Sequence, residues 1–423
     1  MSLDESFARV NASTLRRDFD ALCDFGGRLA GTASERAAVF FLKQRLSRIS
    51  GGTLTSFGVP YAGWAASGAT LDLGVGSRHE VQPLVGSPPT PKDGLVAEII
   101  DLGRGTQADF DAAQDRVAGR IVMARHEYMF DPDHVHRIWK YWTAAEPGAA
   151  GFIVANPWAD SGRVSGGLGF GDTAPIPAVG VGTALAEQLL GMAGSECKIS
   201  LLVDSQTSKQ TAESLVLDIP GRRKEWVVVS AHLDGHSVAE SAIDNASGVV
   251  VALAVAEALA PVAATLERGV RICLFNIEEW GLLASESYVA DLSETERAAI
   301  AIDVNLDSVA GADTIAVMIS GFAELTELVA QASASSAIDA DVHLPLVRNS
   351  DHYNFAVAGI PAVRIVAGFG DRDASLRHVL TEGDRRDLVP THELERAARL
   401  ATAMTYLAAQ ASAPEVAKWR VID

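Results

Sequence analysis

From about residue 210 onward, the sequence alternates between short apolar runs and stretches of helical length. The runs are WVVVSAHL, RICLFNI, AIAIDVNLD, TIAVMIS and PAVRIVAG, and each is mostly continuous in apolar residues rather than alternating. Such runs are typical of strands whose two faces are both covered by helices. Between them lie stretches such as GVVVALAVAEALAPV and FAELTELVAQASASS. The pattern predicts a three-layer α/β/α domain with a mixed, mainly parallel sheet.

Acidic and histidine residues follow several of these predicted strands at the point where the strand ends. They are His232 and Asp234 in VVVSAHLD, Glu278 and Glu279 in ICLFNIEEWG, and Asp307 in IDVNLD. His378 in SLRHVL follows PAVRIVAG after a glycine-containing loop, and Asp244 in IDNASG follows His232 by twelve residues. Ligands of open α/β sheets bind beyond the carboxyl ends of the strands. We therefore expect these side chains to converge at one edge of the sheet.

Each of these signals taken singly has an ordinary explanation, since a polar residue after a strand is usually solvated. Their repetition at successive strand ends is what argues for a site. Carboxylates crowded together raise one another's pKa, and a cation removes that conflict. Two histidines and three carboxylates form a donor set that suits zinc. Five ligands, one of them shared, suffice for two divalent ions.

Six ordered segments carry a resemblance to a known family. They are HLD, DNASG, EEWGLLAS, NLD, SDHYNFAVAGIP and the late His378. Together they resemble the di-zinc aminopeptidase family, whose relatives include glutamate carboxypeptidase and the transferrin receptor ectodomain. The resemblance covers the N-terminal helix and nearly all of 212–423. It implies a zinc-aminopeptidase-like fold and a metal-dependent hydrolase.

The resemblance also assigns roles residue by residue. It implies that His232 and Asp307 bind one zinc ion, that Glu279 and His378 bind the other, and that Asp244 bridges the two. Other divalent metals remain open, because ligand type only biases the choice.

Two further carboxylates take supporting roles in the family. Glu278 is the expected general base, which accepts a proton from the attacking water and passes it to the leaving amine. Asp234 is expected to orient the imidazole of His232. In the family the peptide bond after the bridging aspartate is cis, so we expect a cis bond between Asp244 and Asn245.

Three residues are candidates for substrate binding. Many relatives have a tyrosine where this chain has Arg377, whose guanidinium either stabilises the oxyanion or points to solvent, and the second reading is slightly favoured. Arg348 precedes the SDH segment, and His352 within it is expected near the substrate. Which acid orients His378 is left open among Glu382, Asp384 and Asp387.

Four other histidines are not expected to bind metal. RHEYMFDPDHVHR holds His126, His134 and His136, and THELER holds His392 and Glu393. The second segment has Glu395 at the position where an H-E-x-x-H motif needs its second histidine.

Between about residues 60 and 210 the sequence pattern is different, and short apolar segments are separated by Gly and Pro. This block resembles a protease-associated (PA) domain, a smaller α+β or β insert found in several exopeptidase families. We therefore predict a peptidase domain over 1–60 and 211–423, and an insert over 61–210.

The net charge limits the classes of binding partner, and the cysteine content indicates the redox compartment. A net charge of −19 argues against nucleic acids and anionic membranes as partners. Cys23, Cys197 and Cys273 form no CxxC pair, so we expect free thiols in a reducing compartment. The N-terminus has no apolar signal region, and no run reaches about 18 apolar residues. These features predict a cytoplasmic protein, with a secreted mature form and a homo-oligomer left open.

The functional expectation is a metal-dependent exopeptidase acting on peptides, and foremost an aminopeptidase, because a buried acidic cluster can bind a free α-amino group. Two alternatives stay open. One is a carboxypeptidase or dipeptidase of the same family, with Arg348 in the pocket. The other is a catalytically inactive, receptor-like binding protein.

Overall fold

The computed structural model describes residues 3–74, 76–169 and 174–421. Its strands are β1 (Thr53–Asp72), β2 (Arg78–Pro83), β3 (Leu95–Asp101), β4 (Ile121–Arg125), β5 (Gly151–Ala155), β6 (Ala178–Val181), β7 (Lys198–Ile219), β8 (Trp226–His232), β9 (Gly269–Phe275), β10 (Ile300–Leu306), β11 (Ile315–Met318), β12 (Asp341–His343) and β13 (Ala362–Ala367). Its α-helices are α1 (Leu3–Phe7), α2 (Ala12–Cys23), α3 (Ala33–Leu46), α4 (Gln107–Ala113), α5 (Arg137–Ala145), α6 (Thr183–Met192), α7 (Ser247–Leu259), α8 (Leu283–Asp291), α9 (Glu294–Ala299), α10 (Leu325–Ser336), α11 (His352–Val357), α12 (Thr391–Gln410) and α13 (Ala413–Trp419).

The chain forms two compact units. The first comprises Met1–Val59, Thr211–Leu376 and Arg385–Asp423, and the second comprises Pro60–Gln210 and Arg377–Asp384. The sequence-based division had its borders at 60/61 and 210/211 and left 377–384 in the peptidase domain.

Main-chain hydrogen bonds explain why 377–384 cluster with the second unit. The amide of Glu382 donates to the carbonyl of Arg163 over 3.1 Å, and the amide of Ser165 donates to the carbonyl of Leu380 over 2.7 Å. An antiparallel bridge joins Val164 to Thr381.

The first unit is built on a mixed sheet with the strand order β7-β9-β8-β10-β13-β11-β12. The four central strands β9, β8, β10 and β13 are parallel, whereas β7 and β11 run antiparallel to their neighbours β9 and β13. Helices lie on both sides of the sheet, with α7 and α12 against β8, β9 and β10, and α11 against β10 and β13. The predicted three-layer α/β fold is confirmed.

The apolar runs occupy the centre of this unit, as continuous hydrophobicity predicts. Every residue of β10 is buried, and so is every residue of β8 after Trp226. The helix α7 is buried at all but one of its positions, because small and β-branched side chains let it pack closely on β8 and β9. The segment Ala242–Leu259 is long and apolar enough to cross a membrane, but 89% of it is buried inside the structure, as in a core helix.

The second unit is also built of hydrogen-bonded strands and has its own hydrophobic core. The strands are ordered β1-β2-β6-β5-β4-β3-β7, with β3, β4, β5 and β6 parallel. One hydrophobic cluster centres on Tyr141, Phe152 and Leu84, and another on Met123, Ile153 and Leu201. The predicted smaller insert is therefore present as a separately packed unit. Among the described residues, Cys23, Cys197 and Cys273 form no disulfide bond, as expected.

Candidate active site

The parallel register of the first unit places the carboxyl ends of β8, β9 and β10 side by side. Ser230 of β8 pairs with Asn305 of β10, within two residues of the end of each strand. The side chains that follow therefore meet at one edge. His232 Nε2 lies 3.0 Å from Asp244 Oδ1 and 3.5 Å from Asp307 Oδ1.

Two sets of possible metal ligands share His232. In one set, donor atoms of His232, Asp244 and Glu279 lie within 4.8 Å of one another, and in the other, donor atoms of His232, Glu278 and Asp307 do so. Four of the five predicted ligands are thus gathered within the first unit. The fifth, His378, belongs to the second unit, and its role as a ligand stays a prediction.

Asp244 reaches the edge through a tight turn, Ala242–Ala246, that precedes α7. The peptide bond between Asp244 and Asn245 is cis, which confirms the sequence-based prediction. The Asn245 side chain holds this turn in place. Its Nδ2 donates to the carbonyl of Leu306 over 2.9 Å, and its Oδ1 accepts from the amide of Gly248 over 2.9 Å.

Asp234 is completely buried and connects the ends of β8 and β9. Its Oδ1 lies 3.6 Å from His232 Nδ1, and its carboxylate accepts the backbone amides of Glu278 and Glu279 over 3.2 and 3.3 Å. One carboxylate therefore contacts the imidazole and also sets the backbone that presents both glutamates. These contacts support the orienting role predicted for Asp234.

The surroundings shift the pKa values of Glu278, Glu279 and His232 at this edge. Burial raises the pKa of Glu278 well above its usual range, and the charges of Glu279 and Asp307 add to the rise. Burial and the charge of Asp244 do the same for Glu279. The pKa of His232 is raised despite its burial, because Glu278 and the neighbouring aspartates favour its charged form. The cluster thus holds more negative charge than its own cations balance.

One oxygen of the Glu279 carboxylate also indicates a cation site. Its Oε1 is buried and has no hydrogen-bond partner among the described residues. A buried carboxylate oxygen without a donor is costly unless a cation or another donor satisfies it. The donor set and this oxygen both fit a divalent metal ion.

Sequence reasoning missed Arg364, which is buried in β13. Its Nη2 lies 3.0 Å from Asp307 Oδ2, and its Nη1 donates to the carbonyl of Asn349 over 2.7 Å. Burial alone would raise the pKa of Asp307, but Arg364 and then His232 outweigh it and lower the pKa. A charged residue inside the apolar run PAVRIVAG was the signal that could have revealed this partner.

Sequence reasoning also assigned no role to His236, which lies two residues after Asp234. Its Nε2 lies 2.6 Å from Glu279 Oε2, and the residue is buried. Its position inside the same segment as His232 and Asp244 was the available signal.

The predicted substrate-binding residues have differing environments. His352 is fully buried at the start of α11. Arg348 is exposed, and its guanidinium lies 5.4 Å from the centre of the Tyr353 ring. Arg377, in the second unit, donates to Asp160 Oδ2 over 2.8 Å. Substrate contacts for these three residues stay predictions.

His378 is buried in the second unit, where Ser161 Oγ lies 2.8 Å from its Nδ1. Asp160 Oδ2 lies 3.8 Å from its Nε2. Glu382, one of the three acids considered for orienting this histidine, accepts hydrogen bonds from the backbone and side chain of Arg163. Ser161 is a partner that no sequence spacing indicated.

His126 and His134, which are not expected to bind metal, belong to the second unit. His126 packs edge-on against Trp158, and His134 Nδ1 lies 2.6 Å from the carbonyl oxygen of Asp131.

His392 and Glu393 do lie near a third possible ligand, Asp313, with their donor atoms within 4.8 Å of one another. A guanidinium already accompanies this group, because Arg396 Nη1 lies 3.7 Å from Asp313 Oδ1.

Comparison with known proteins places this arrangement in a family. Residues 214–405 match the model of peptidase family M28, and residues 82–189 match the PA domain. The chain therefore contains a peptidase family M28 domain over residues 214–405. Its PA domain lies within the peptidase sequence, as predicted, and its classification as a hydrolase and metallopeptidase is confirmed.

The M28 chain is similar to several aminopeptidases. It is 26% identical over 393 residues to aminopeptidase YwaD of Bacillus subtilis, covering 90% of this chain and 81% of that protein. It is 25% identical to the aminopeptidase from Aneurinibacillus sp. strain AM-1, with a TM-score of 0.72 and 97% of each chain covered. The zinc aminopeptidase BSAP of Bacillus subtilis shares its fold, with a TM-score of 0.75, 24% identity and coverage of 95% of this chain and 96% of that one.

Proposed function

We propose that this M28 protein is a metal-dependent aminopeptidase that removes N-terminal residues from peptides. The observation that carries the proposal is the cluster of His232, Asp244, Glu279 and Asp307, with Glu278 beside it, at the carboxyl edge of the parallel strands. The names of its relatives agree with this activity.

The metal-binding residues of the proposal are those that the sequence predicted. His232 and Asp307 would hold one ion, Glu279 and His378 the other, and Asp244 would bridge. Zinc is the proposed metal, and two ions the proposed number. Bound zinc supplies Lewis-acid activation of a water molecule and of the scissile carbonyl. A cation here would also relieve the repulsion that raises the pKa of Glu278 and Glu279.

Glu278 is the proposed general base. A carboxylate at this position is a suitable proton acceptor, because the cluster places it beside the proposed metal ligands His232 and Asp307. It takes a proton from the attacking water and delivers it to the leaving amine. Asp234 accepts the backbone amide of Glu278, so the base is held at a set position on the edge.

The acidic character of the site favours a substrate with a free α-amino group, because a cationic group is stabilised near a surplus of carboxylates. A carboxypeptidase would instead need a cation for the terminal carboxylate. Arg348 was the candidate, and its guanidinium lies over Tyr353.

The test compares aminoacyl-p-nitroanilides with N-blocked peptides, together with the metal content of the purified protein. Hydrolysis of the unblocked substrates and two zinc ions per chain are expected. Activity on blocked peptides alone would reject an aminopeptidase in favour of the carboxypeptidase. Metal binding without hydrolysis of either class would favour the receptor-like alternative. A cytoplasmic location and a homo-oligomer stay predictions.

A further inference from the structure

His236 makes a short contact with one of the proposed metal ligands. Its Nε2 lies 2.6 Å from Oε2 of Glu279, which is hydrogen-bond distance. We propose that His236 is a positioning residue that donates this hydrogen bond and orients the Glu279 carboxylate for metal binding. The inference rests on the proposed function, because it assumes a metal at Glu279.

The two oxygens of the Glu279 carboxylate differ in a way that suits this role. Oε2 receives the imidazole of His236, while Oε1 is buried without a hydrogen-bond partner among the described residues. A carboxylate with one oxygen held by a donor cannot rotate freely about its last bond. The other oxygen is then left to face a metal ion.

The backbone around His236 is held by its own loop. The amide of His236 donates to Ser241 Oγ over 3.0 Å, and that hydroxyl lies 3.3 Å from the carbonyl oxygen of His236. Gly27 lies against this carbonyl, since a Cβ atom at position 27 would lie 2.0 Å from it. Only a glycine at that position permits so close an approach.

Arg28 forms hydrogen bonds near both ends of the loop that carries His236. Its guanidinium is buried and donates to the carbonyls of Leu233, Glu240 and Ser241 over 3.1, 2.9 and 2.8 Å. The amide of Gly235 donates to the carbonyl of Arg28 over 3.2 Å. A buried imidazole on a loop held this firmly has little freedom to leave Glu279, which is what a positioning residue requires.

The substitutions His236→Ala and His236→Gln separate a hydrogen-bonding role from other roles. Glutamine keeps an N–H donor near the place of Nε2, whereas alanine removes it. The readout is zinc affinity, measured by competition with a chromophoric chelator on the full-length protein. Loss of a hydrogen-bond partner of a ligand costs about 10- to 100-fold in metal affinity. We expect that loss for His236→Ala and less than about threefold for His236→Gln.

A control and a double-mutant cycle complete the test. His79→Ala removes a partly exposed histidine of β2 that belongs to none of the possible ligand sets among the described residues, so it should leave zinc affinity unchanged. In a Glu279→Ala background, His236→Ala should cause little further loss, because its effect passes through that carboxylate. Additive losses in the cycle would overturn the proposal, and so would a His236→Gln variant as weak as His236→Ala.

The outcomes also separate this inference from the proposed function. A parent protein that binds no divalent metal would refute the metal-dependent mechanism itself. Parent-like zinc affinity in His236→Ala, with the parent binding zinc normally, would refute only the role of His236. The variants are compared by zinc affinity as well as by kcat and KM. A variant that loses only catalysis would therefore not support the role of His236.

Discussion

The two units contain parallel strands that end in charged residues, yet only one of them leaves the charge unbalanced. In the second unit, β3 ends at Asp101 and β4 ends at Arg125, and these two residues form a salt bridge. Glu127 follows and lies 2.7 Å from the buried Lys140. In the first unit, the ends of β8, β9 and β10 instead bring several carboxylates close to the imidazole of His232.

The pKa shifts of the glutamates at the strand ends have opposite signs in the two units. Burial would raise the pKa of Glu127, but hydrogen bonds from Arg104 and Lys140 outweigh it and lower the pKa. Burial raises the pKa of Glu278 and Glu279, and neighbouring carboxylates add to that rise. Charged residues at strand ends therefore indicate a site only where their charges do not cancel.

The largest expected effect is on catalysis, and it distinguishes Glu278 of the first unit from Glu127 of the second. Glu278→Gln should lower kcat by about 10³-fold and keep the metal, because it removes the proton acceptor but not a proposed ligand. The matched control is Glu127→Gln, which should keep the parent kcat. Hydrolysis of an aminoacyl-p-nitroanilide and metal analysis check both. If Glu278→Gln cleaved the substrate as fast as the parent, the general base would have to be another group.

The next effect concerns stability in the metal-free protein. Arg364→Met should lower the free energy of unfolding by roughly 3 kcal/mol, because it leaves the buried Asp307 without its guanidinium partner. Arg125→Met is the control. Its salt bridge to Asp101 is partly exposed and should be worth at most about 1 kcal/mol. Urea unfolding measures both, and equal losses would remove the distinction between the two units.

A smaller effect tests a buried base in the second unit. Burial and the nearby cations Arg137 and Lys140 lower the pKa of His126 well below its usual value. As the pH falls below about 6.5, the unfolded chain takes up a proton that the folded protein does not, so stability must fall. Between pH 7 and pH 5 this loss reaches about 2 kcal/mol. His126→Asn should lack that component when urea unfolding is compared at the two pH values. An unchanged pH dependence would mean that His126 ionises in the folded protein.

The smallest effect decides the role of Arg377. Its ion pair with Asp160, a residue 59% exposed, should contribute no more than about 1 kcal/mol. We expect Arg377→Ala to leave kcat close to that of the parent. A loss of about 10²-fold in kcat would instead identify Arg377 as an oxyanion-stabilising group. Steady-state kinetics with an aminoacyl-p-nitroanilide distinguishes the two outcomes.

Much of the site followed from local features of the sequence. Apolar runs predicted the parallel strands, and the residues after them predicted that His232, Asp244, Glu279 and Asp307 would meet. The cis bond after Asp244 followed from the family resemblance and is present. The order of the motifs and the geometry of parallel strands determine these features. Both can be recognised from short segments of the sequence.

The partners of those residues did not follow from the sequence. Arg364 contacts Asp307 across 57 positions, and Ser161 contacts His378 across 217. Arg28 binds the loop of His236 from more than 200 positions away. No spacing rule relates residues so far apart, because their meeting depends on how whole elements pack.

The sequence by itself determined the type and order of the elements, the family and the side chains available for chemistry. Hydrophobic periodicity and short motifs are local properties, so a single chain displays them without being folded. Tertiary structure alone decided which charge stands beside which. Whether a buried carboxylate is neutralised by an arginine, oriented by a histidine or left to a cation depends on distances of a few ångströms between segments remote in the chain.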